Sequence, residues 1–215
     1  MALDLNLRNI VLVGLFDPAA FDKYSFIKNS ILKEEEILPD SFLGNPGGVQ
    51  LSTGKYQLLI TFNQIVLNAK DPGDNTRIHE LFSKIMNFEG IRNLVAMGIN
   101  FNWHLTDDSK NIHELSKDLF YNDKVKIFGT YFGNSDARFG AYASANYKDS
   151  RLKLDIKPAN IRLIDGKIVN IDIINFQFNF HFDIKKGEGK AEILKWLSEY
   201  EAYQNYSKEI SSNYQ

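Results

Sequence analysis

Two stretches of this chain carry almost the same alternating pattern, and that pattern confines both to β-strands. Ile99-Asn100-Phe101-Asn102-Trp103-His104-Leu105 aligns with Phe176-Gln177-Phe178-Asn179-Phe180-His181-Phe182, position by position. Phe, Asn and His are identical, and the other pairs keep apolar with apolar and amide with amide. Side chains along a strand alternate between faces. Each stretch therefore presents one apolar face and one face of amides and imidazole.

A second alignment extends the first. Tyr56, Leu58, Ile60 and Phe62 alternate before the apolar phase moves to Ile65 and Leu67. Leu152, Leu154, Ile156 and Pro158 do the same before Ile161 and Leu163. The offsets, 77 (178 − 101) and 96 (152 − 56), differ because a segment with a helical pattern, Asp71 to Gly90, is inserted in the first half. Leu12-Val13-Gly14 pairs more loosely with Ile127-Phe128-Gly129. Matching register points to duplication of one strand-rich unit. The expected halves are about 8–105 and 124–184, each of four strands, with two helices inserted into the first. A shift of apolar phase within a strand calls for an extra residue, which a β-bulge supplies. Bulges are expected near Phe62–Gln64, Pro158–Asn160 and Ile173–Ile174, curving the sheet.

The remaining pattern fills in the elements. Arg8 to Phe16 reads as a central strand, and Pro18 to about Lys33 as a helix opened by Asp17. Pro39 to Gly48 is a loop. Val49–Ser52 and Tyr56–Asn68 form a hairpin around Thr53-Gly54. Arg77–Phe88 is a helix with Ile78, Leu81, Phe82 and Ile85 on one face. Val95 to Leu105 is a long strand, and Ile112–Phe120 a short helix. Four strands follow, at about 125–132, 139–147, 151–164 and 167–183. Their turns are Gly133–Asp136, Lys148–Ser150 and Asp165-Gly166, the last a strong hairpin signal. A long C-terminal helix at about 188–210 carries Ile193, Trp196, Leu197, Tyr200 and Tyr203 on one stripe. The fold class is α+β: a curved antiparallel sheet of about eight strands, with the C-terminal helix packed on it.

Composition narrows the functional classes. At 215 residues and 44% hydrophobic, with no Pro/Gly/Ser linker, the expectation is one domain spanning 1–215. There is no cysteine, which excludes disulfides, thiolate zinc sites and cysteine nucleophiles. Met1 to Asn6 shows no basic region followed by a long apolar run, and no stretch reaches the roughly 18 apolar residues of a membrane helix. A cytoplasmic protein without membrane contact is expected. The abundance of Asn, Lys, Ile and Phe suits an AT-rich bacterial or phage genome. The net charge is −2, and basic residues are interleaved with acids, as in Lys185-Lys186 and Lys190 around Glu188 and Glu192. Nucleic-acid binding needs clustered cations and is not expected.

Catalytic motifs are missing. No phosphate loop, dinucleotide fingerprint or nucleophile elbow is present, and His79-Glu80 and His113-Glu114 lack the second histidine of a helical zinc protease. His104, Asp107, Asp108, His113 and Glu114 follow no metal-ligand spacing, so neither a metal nor a cofactor is expected. Two candidate groups remain. Asn102, His104, Asn179 and His181 occupy equivalent places on polar strand faces, where they could meet a ligand or partner. Phe176, Phe178 and Phe180, with Trp196 and Tyr200, could line an apolar cavity under the C-terminal helix, or form the core there.

The reading is a non-enzymatic binding or interaction protein, part of a protein complex or a homo-oligomer. The alternative is a small-molecule binder or enzyme using a cavity between the curved sheet and the C-terminal helix.

Overall fold

The two matched stretches are neighbouring strands of one sheet. The computed structural model describes residues 1–45, 47–73, 77–164, 168–185 and 189–215, and only the backbone of 162–164 and 168–170. Its strands are β1 (Ala2–Phe16), β2 (Leu43–Asn45), β3 (Gly48–Ser52), β4 (Tyr56–Thr61), β5 (Gln64–Ala69), β6 (Ile91–Thr106), β7 (Ala141–Tyr147), β8 (Ser150–Ile164) and β9 (Ile168–Asp183). They form a nine-stranded sheet in the order β2-β3-β4-β5-β1-β6-β9-β8-β7. Every pairing is antiparallel, and the sheet stays open, with β2 and β7 at its edges.

The helices are α1 (Lys23–Lys28), α2 (Ile78–Ile85), α3 (Ile112–Phe120), α4 (Lys126–Tyr131), α5 (Lys190–Ser198) and α6 (Tyr200–Ser212). Parity explains where most of them go. Met97, Ile99, Phe101, Trp103 and Leu105 of β6 share a face with Phe176, Phe178, Phe180 and Phe182 of β9, and all are buried. Helices α2, α3, α5 and α6 contribute Phe82, Leu115, Trp196 and Tyr203 to the same continuous core. Phe180 lies 5.0 Å from the Tyr203 ring, and Phe182 stacks on Trp196 at 4.6 Å. Such rings each contribute roughly 2–3 kcal/mol on burial. The Phe stripe is therefore core.

Local chemistry sets the helix ends. In α3 the Asn111 side chain accepts from the His113 and Glu114 N–H groups, and Glu114 accepts from the Asn111 N–H in return. The Asp172 carboxylate of β9 accepts from the Ile112 N–H at 2.9 Å, tying that helix start to the sheet. Trp103 Nε1–H donates to Ser207 Oγ at 2.9 Å, a buried bond that fixes α6 over β6.

Several expectations need correction. The sheet has nine strands rather than eight. Leu43–Asn45, within the expected loop, pairs with β3. The expected bulge at Phe62–Gln64 is a hairpin turn that splits the segment into β4 and β5. Residues Lys126–Tyr131, expected as a strand, are helix α4, because a short apolar run does not by itself distinguish the two periods. The expected helix from Pro18 to Lys33 is a 3-10 turn at Pro18–Ala20 followed by α1. Asp22 Oδ1 caps α1 afresh by accepting from the Ser25 N–H, and the chain leaves the helix at Ser30 with φ of 53°. The C-terminal helix breaks at Glu199 into α5 and α6. The duplication alignments also fail at Tyr56–Leu67 and Leu12–Gly14. The first is a hairpin against the single strand β8, and the second a strand against helix α4.

Nor does β8 bulge. It pairs with β9 without interruption through Pro158↔Ile174, Ala159↔Ile173 and Asn160↔Asp172. Pro158 is tolerated because β7 ends opposite Ile156, leaving Pro158 on a free edge. The register shifts fall instead in β1 against β6, between Leu5 and Leu7 and between Val13 and Leu15. The Asp165-Gly166 turn lies outside the described residues. The strands flanking it pair up to Ile164↔Ile168.

Replacing Phe180 tests the core reading. Its ring meets Phe101, Tyr147 and Tyr203. Phe180→Ala is expected to lower unfolding free energy by about 3–5 kcal/mol. Urea denaturation read by circular dichroism measures this. A loss below about 1 kcal/mol would show that the ring is not in a packed core.

Candidate functional site

Antiparallel pairing decides which polar residues meet. On the face opposite the helices, Asn9 of β1, Asn100 of β6 and Asn179 of β9 stand directly across from one another. Asn179 Nδ2 donates to Asn100 Oδ1, and Asn100 Nδ2 donates to Asn9 Oδ1 at 2.7 Å. Asn68 of β5 continues the row beyond Asn9, and Lys153 of β8 beyond Asn179. Each amide offers both a donor and an acceptor, so the row is bonded strand to strand. Gly98 makes room for it. A Cβ there would stand 3.2 Å from Asn179 Nδ2.

The next row places Leu7, Asn102, Gln177 and Asp155 side by side. Asn102 and Asn179 are therefore diagonal neighbours. Both line a shallow depression of about 350 Å³ with Asn100, Gln177, Lys153 and Asp155.

The two histidines do not converge. His104 lies opposite Asn175, and His181 opposite Gly98, six residues along β6 (104 − 98). At about 3.4 Å per residue they are roughly 20 Å apart. Equal positions in two similar strands run to opposite ends once the strands pair antiparallel. His104 sits opposite Asp4 on β1, while His181 Nε2 lies 3.1 Å from Asp183 Oδ1.

An apolar strip adjoins the amides. Leu59, Val66 and Val11 pair across β4, β5 and β1, and Val13 lies further along β1 on the same face. Leu59 and Val13 are each 37% exposed. On the other side β8 brings Arg151, Lys153 and Lys157, with Lys157 Nζ donating to Asp155 Oδ2 at 2.8 Å. The face thus runs from apolar through amide to cationic. Asn9, Asn68, Asn100 and Lys153 were missed as members of it. The signal was present in their parity, but only the strand order reveals which residues line up.

The second candidate group lies elsewhere. Phe176, Phe178, Phe180, Trp196 and Tyr200 are each at most 5% exposed, and Phe176, Phe180, Trp196 and Tyr200 pack against other rings. A pocket of about 590 Å³ does open between β1 and α6, and Trp103 and Tyr200 line it; Phe176, Phe178, Phe180 and Trp196 do not. No group of three or more metal-ligating side chains occurs among the described residues. No helix among them is long and apolar enough to cross a membrane.

Two half-buried imidazoles make stability depend on pH. Burial lowers the pKa of His104, opposed by Asp4. Burial also lowers that of His79 on α2, opposed by Glu80 and Glu201 and assisted by Arg77 and Arg8. Unfolded histidine takes up a proton near pH 6.5, while the folded imidazoles stay neutral to lower pH. The unfolded chain then binds more protons, so stability falls as pH drops below about 6.5. Melting temperature is expected to decrease between pH 7.5 and 5.5. The His79→Gln/His104→Gln variant should flatten that decrease, and an unchanged slope would refute the assignment.

No protein family matches the sequence of this chain, and no curated protein is significantly similar to it.

Proposed function

We propose that this is an interaction protein whose uncovered sheet face docks onto a protein surface, either a partner in a complex or a second copy of the chain. The observation that carries this reading is the bonded amide row Asn9–Asn100–Asn179, flanked by the exposed apolar strip at Leu59 and Val13. Amides fixed by one another lose little side-chain freedom on docking and keep further hydrogen-bonding capacity. Exposed apolar residues beside them supply the burial that makes association favourable.

The size supports it. Five strands at about 4.8 Å spacing, and the ten residue pairs of β6 with β9 at about 3.4 Å each, give a face of about 800 Å². That is close to what each partner contributes to a standard interface. The mixed charge on β8, with Arg151, Lys153 and Lys157 beside Asp155, would set orientation rather than strength.

Native mass spectrometry and affinity capture test the reading together. The expected outcome is a species heavier than the 24.7 kDa chain, as a homo-oligomer or a defined complex. Leu59→Lys/Val13→Lys alters only partly exposed side chains and should dissociate it. A bare monomer that captures nothing, or an assembly indifferent to these changes, would overturn the reading.

A further inference from the structure

The pocket between β1 and α6 lies on the helix side of the sheet, away from the docking face, and its lining is of another kind. The bulge between Leu5 and Leu7 reverses the parity of β1, turning Arg8 inward, where it is 4% exposed. Its guanidinium is engaged within the protein, with Nη2 donating to the Asp71 carbonyl at 3.1 Å. The other charges among the described lining residues balance, Arg77 and Lys208 against Asp4 and Glu201. Such a site has no surplus charge to meet an ionised ligand, whose desolvation there would go uncompensated.

The wall does provide hydrogen-bonding groups next to aromatic surface. Tyr200 of α6 is 2% exposed, and its ring stacks on His79 of α2 at 5.1 Å. Both residues line the pocket, and the Tyr200 hydroxyl and His79 Nδ1 are buried without a hydrogen-bond partner. A buried polar group left unpaired is destabilising, so such orphans point to a group that binds them. Burial pushes the Tyr200 phenol up, which keeps its hydroxyl a donor, and it holds the His79 imidazole neutral to lower pH.

These two atoms set the chemistry of the group they would bind. The hydroxyl needs an acceptor, while a neutral imidazole nitrogen accepts or donates according to its tautomer. An uncharged amide satisfies either case. Its carbonyl has two lone pairs and can accept from both groups, or it accepts from Tyr200 while the amide N–H donates to His79 Nδ1. Trp103, Leu3 and Leu5 form apolar walls, and a volume of about 590 Å³ is that of a small-molecule site. We propose that this pocket binds an uncharged small molecule carrying an amide on an apolar or aromatic body. The amide bridges Tyr200 and His79, and the body lies against Trp103.

Benzamide, benzoate and benzamidinium share one shape and differ in charge, so together they test the pocket's neutrality. Each is titrated into the wild-type chain at pH 7.5 by calorimetry, and into Trp196→Phe by fluorescence. The chain has two tryptophans, and Trp196 is stacked on Phe182, so the variant reports from Trp103 at the pocket wall. Saturable binding of benzamide is expected, with both ions at least tenfold weaker. Tyr200→Phe, which removes only the orphaned hydroxyl, should weaken benzamide about tenfold without lowering the urea midpoint. Asn205→Phe, at an exposed lining position on α6, should weaken it severalfold by crowding the pocket, and serves if Tyr200→Phe does not fold. Benzamide that fails to saturate would mean that solvent alone satisfies the two atoms, and would overturn the proposal. So would an ion that binds as tightly, or folded variants that bind like wild type. None of these outcomes bears on the docking face, which Leu59→Lys/Val13→Lys tests separately.

Discussion

The pairing of β6 with β9 organises the molecule. Phe101 stands opposite Phe178, and every residue on either side alternates in step with its partner. One register therefore performs two tasks. It stacks Ile99, Trp103, Phe176 and Phe180 into a common apolar surface for the helices, and it aligns Asn100 with Asn179 on the other face. A slip of one residue would turn aromatic rings to water and bury amides. The cost of burying unpaired amides makes the polar row a register lock.

The long strands and helix α3 were legible because their periods are unambiguous. Ile112–Phe120 matches its expected limits, and β8 differs from expectation by one residue at its start. The failures share a cause. Tyr56 to Leu67 changes apolar phase, and both a bulge and a hairpin turn produce that change. Strand order decides between them, and order is a tertiary property. The true bulge in β1 was visible in the same way, since Leu3 and Leu5 face inward at odd positions and Ile10 and Leu12 at even ones. Beginning the strand at Arg8 concealed it.

Of the candidate site, composition and parity were readable and alignment was not. Asn102, His104, Asn179 and His181 do lie on one face, as their alternation requires. Their likeness in sequence implied likeness in position, but antiparallel pairing carried the histidines to opposite ends of the face. Arg8 illustrates the converse. Within an apolar strand a lone arginine looks like an edge residue, yet its spacing from Ile10 and Leu12 assigns it to the interior. Its neighbours there, His79 and Tyr200, come from segments about 70 and 190 residues away along the chain and carry no local mark of the association.

The central strands also come from widely separated parts of the chain: β1 pairs Ala2 with Thr106, and β6 pairs Ala96 with Asp183. Synthesis delivers them in that sequence, so β6 can dock on β1 while its other edge and the Phe101–Trp103 surface still lack β9 and α6. Closure of such distant contacts is slow. Until residues beyond Asp183 have left the ribosome, the nascent chain holds an unpaired strand edge beside uncovered aromatic rings. Its most vulnerable interval falls between the emergence of β6 and that of β9 and α6, when a chaperone would have most to protect.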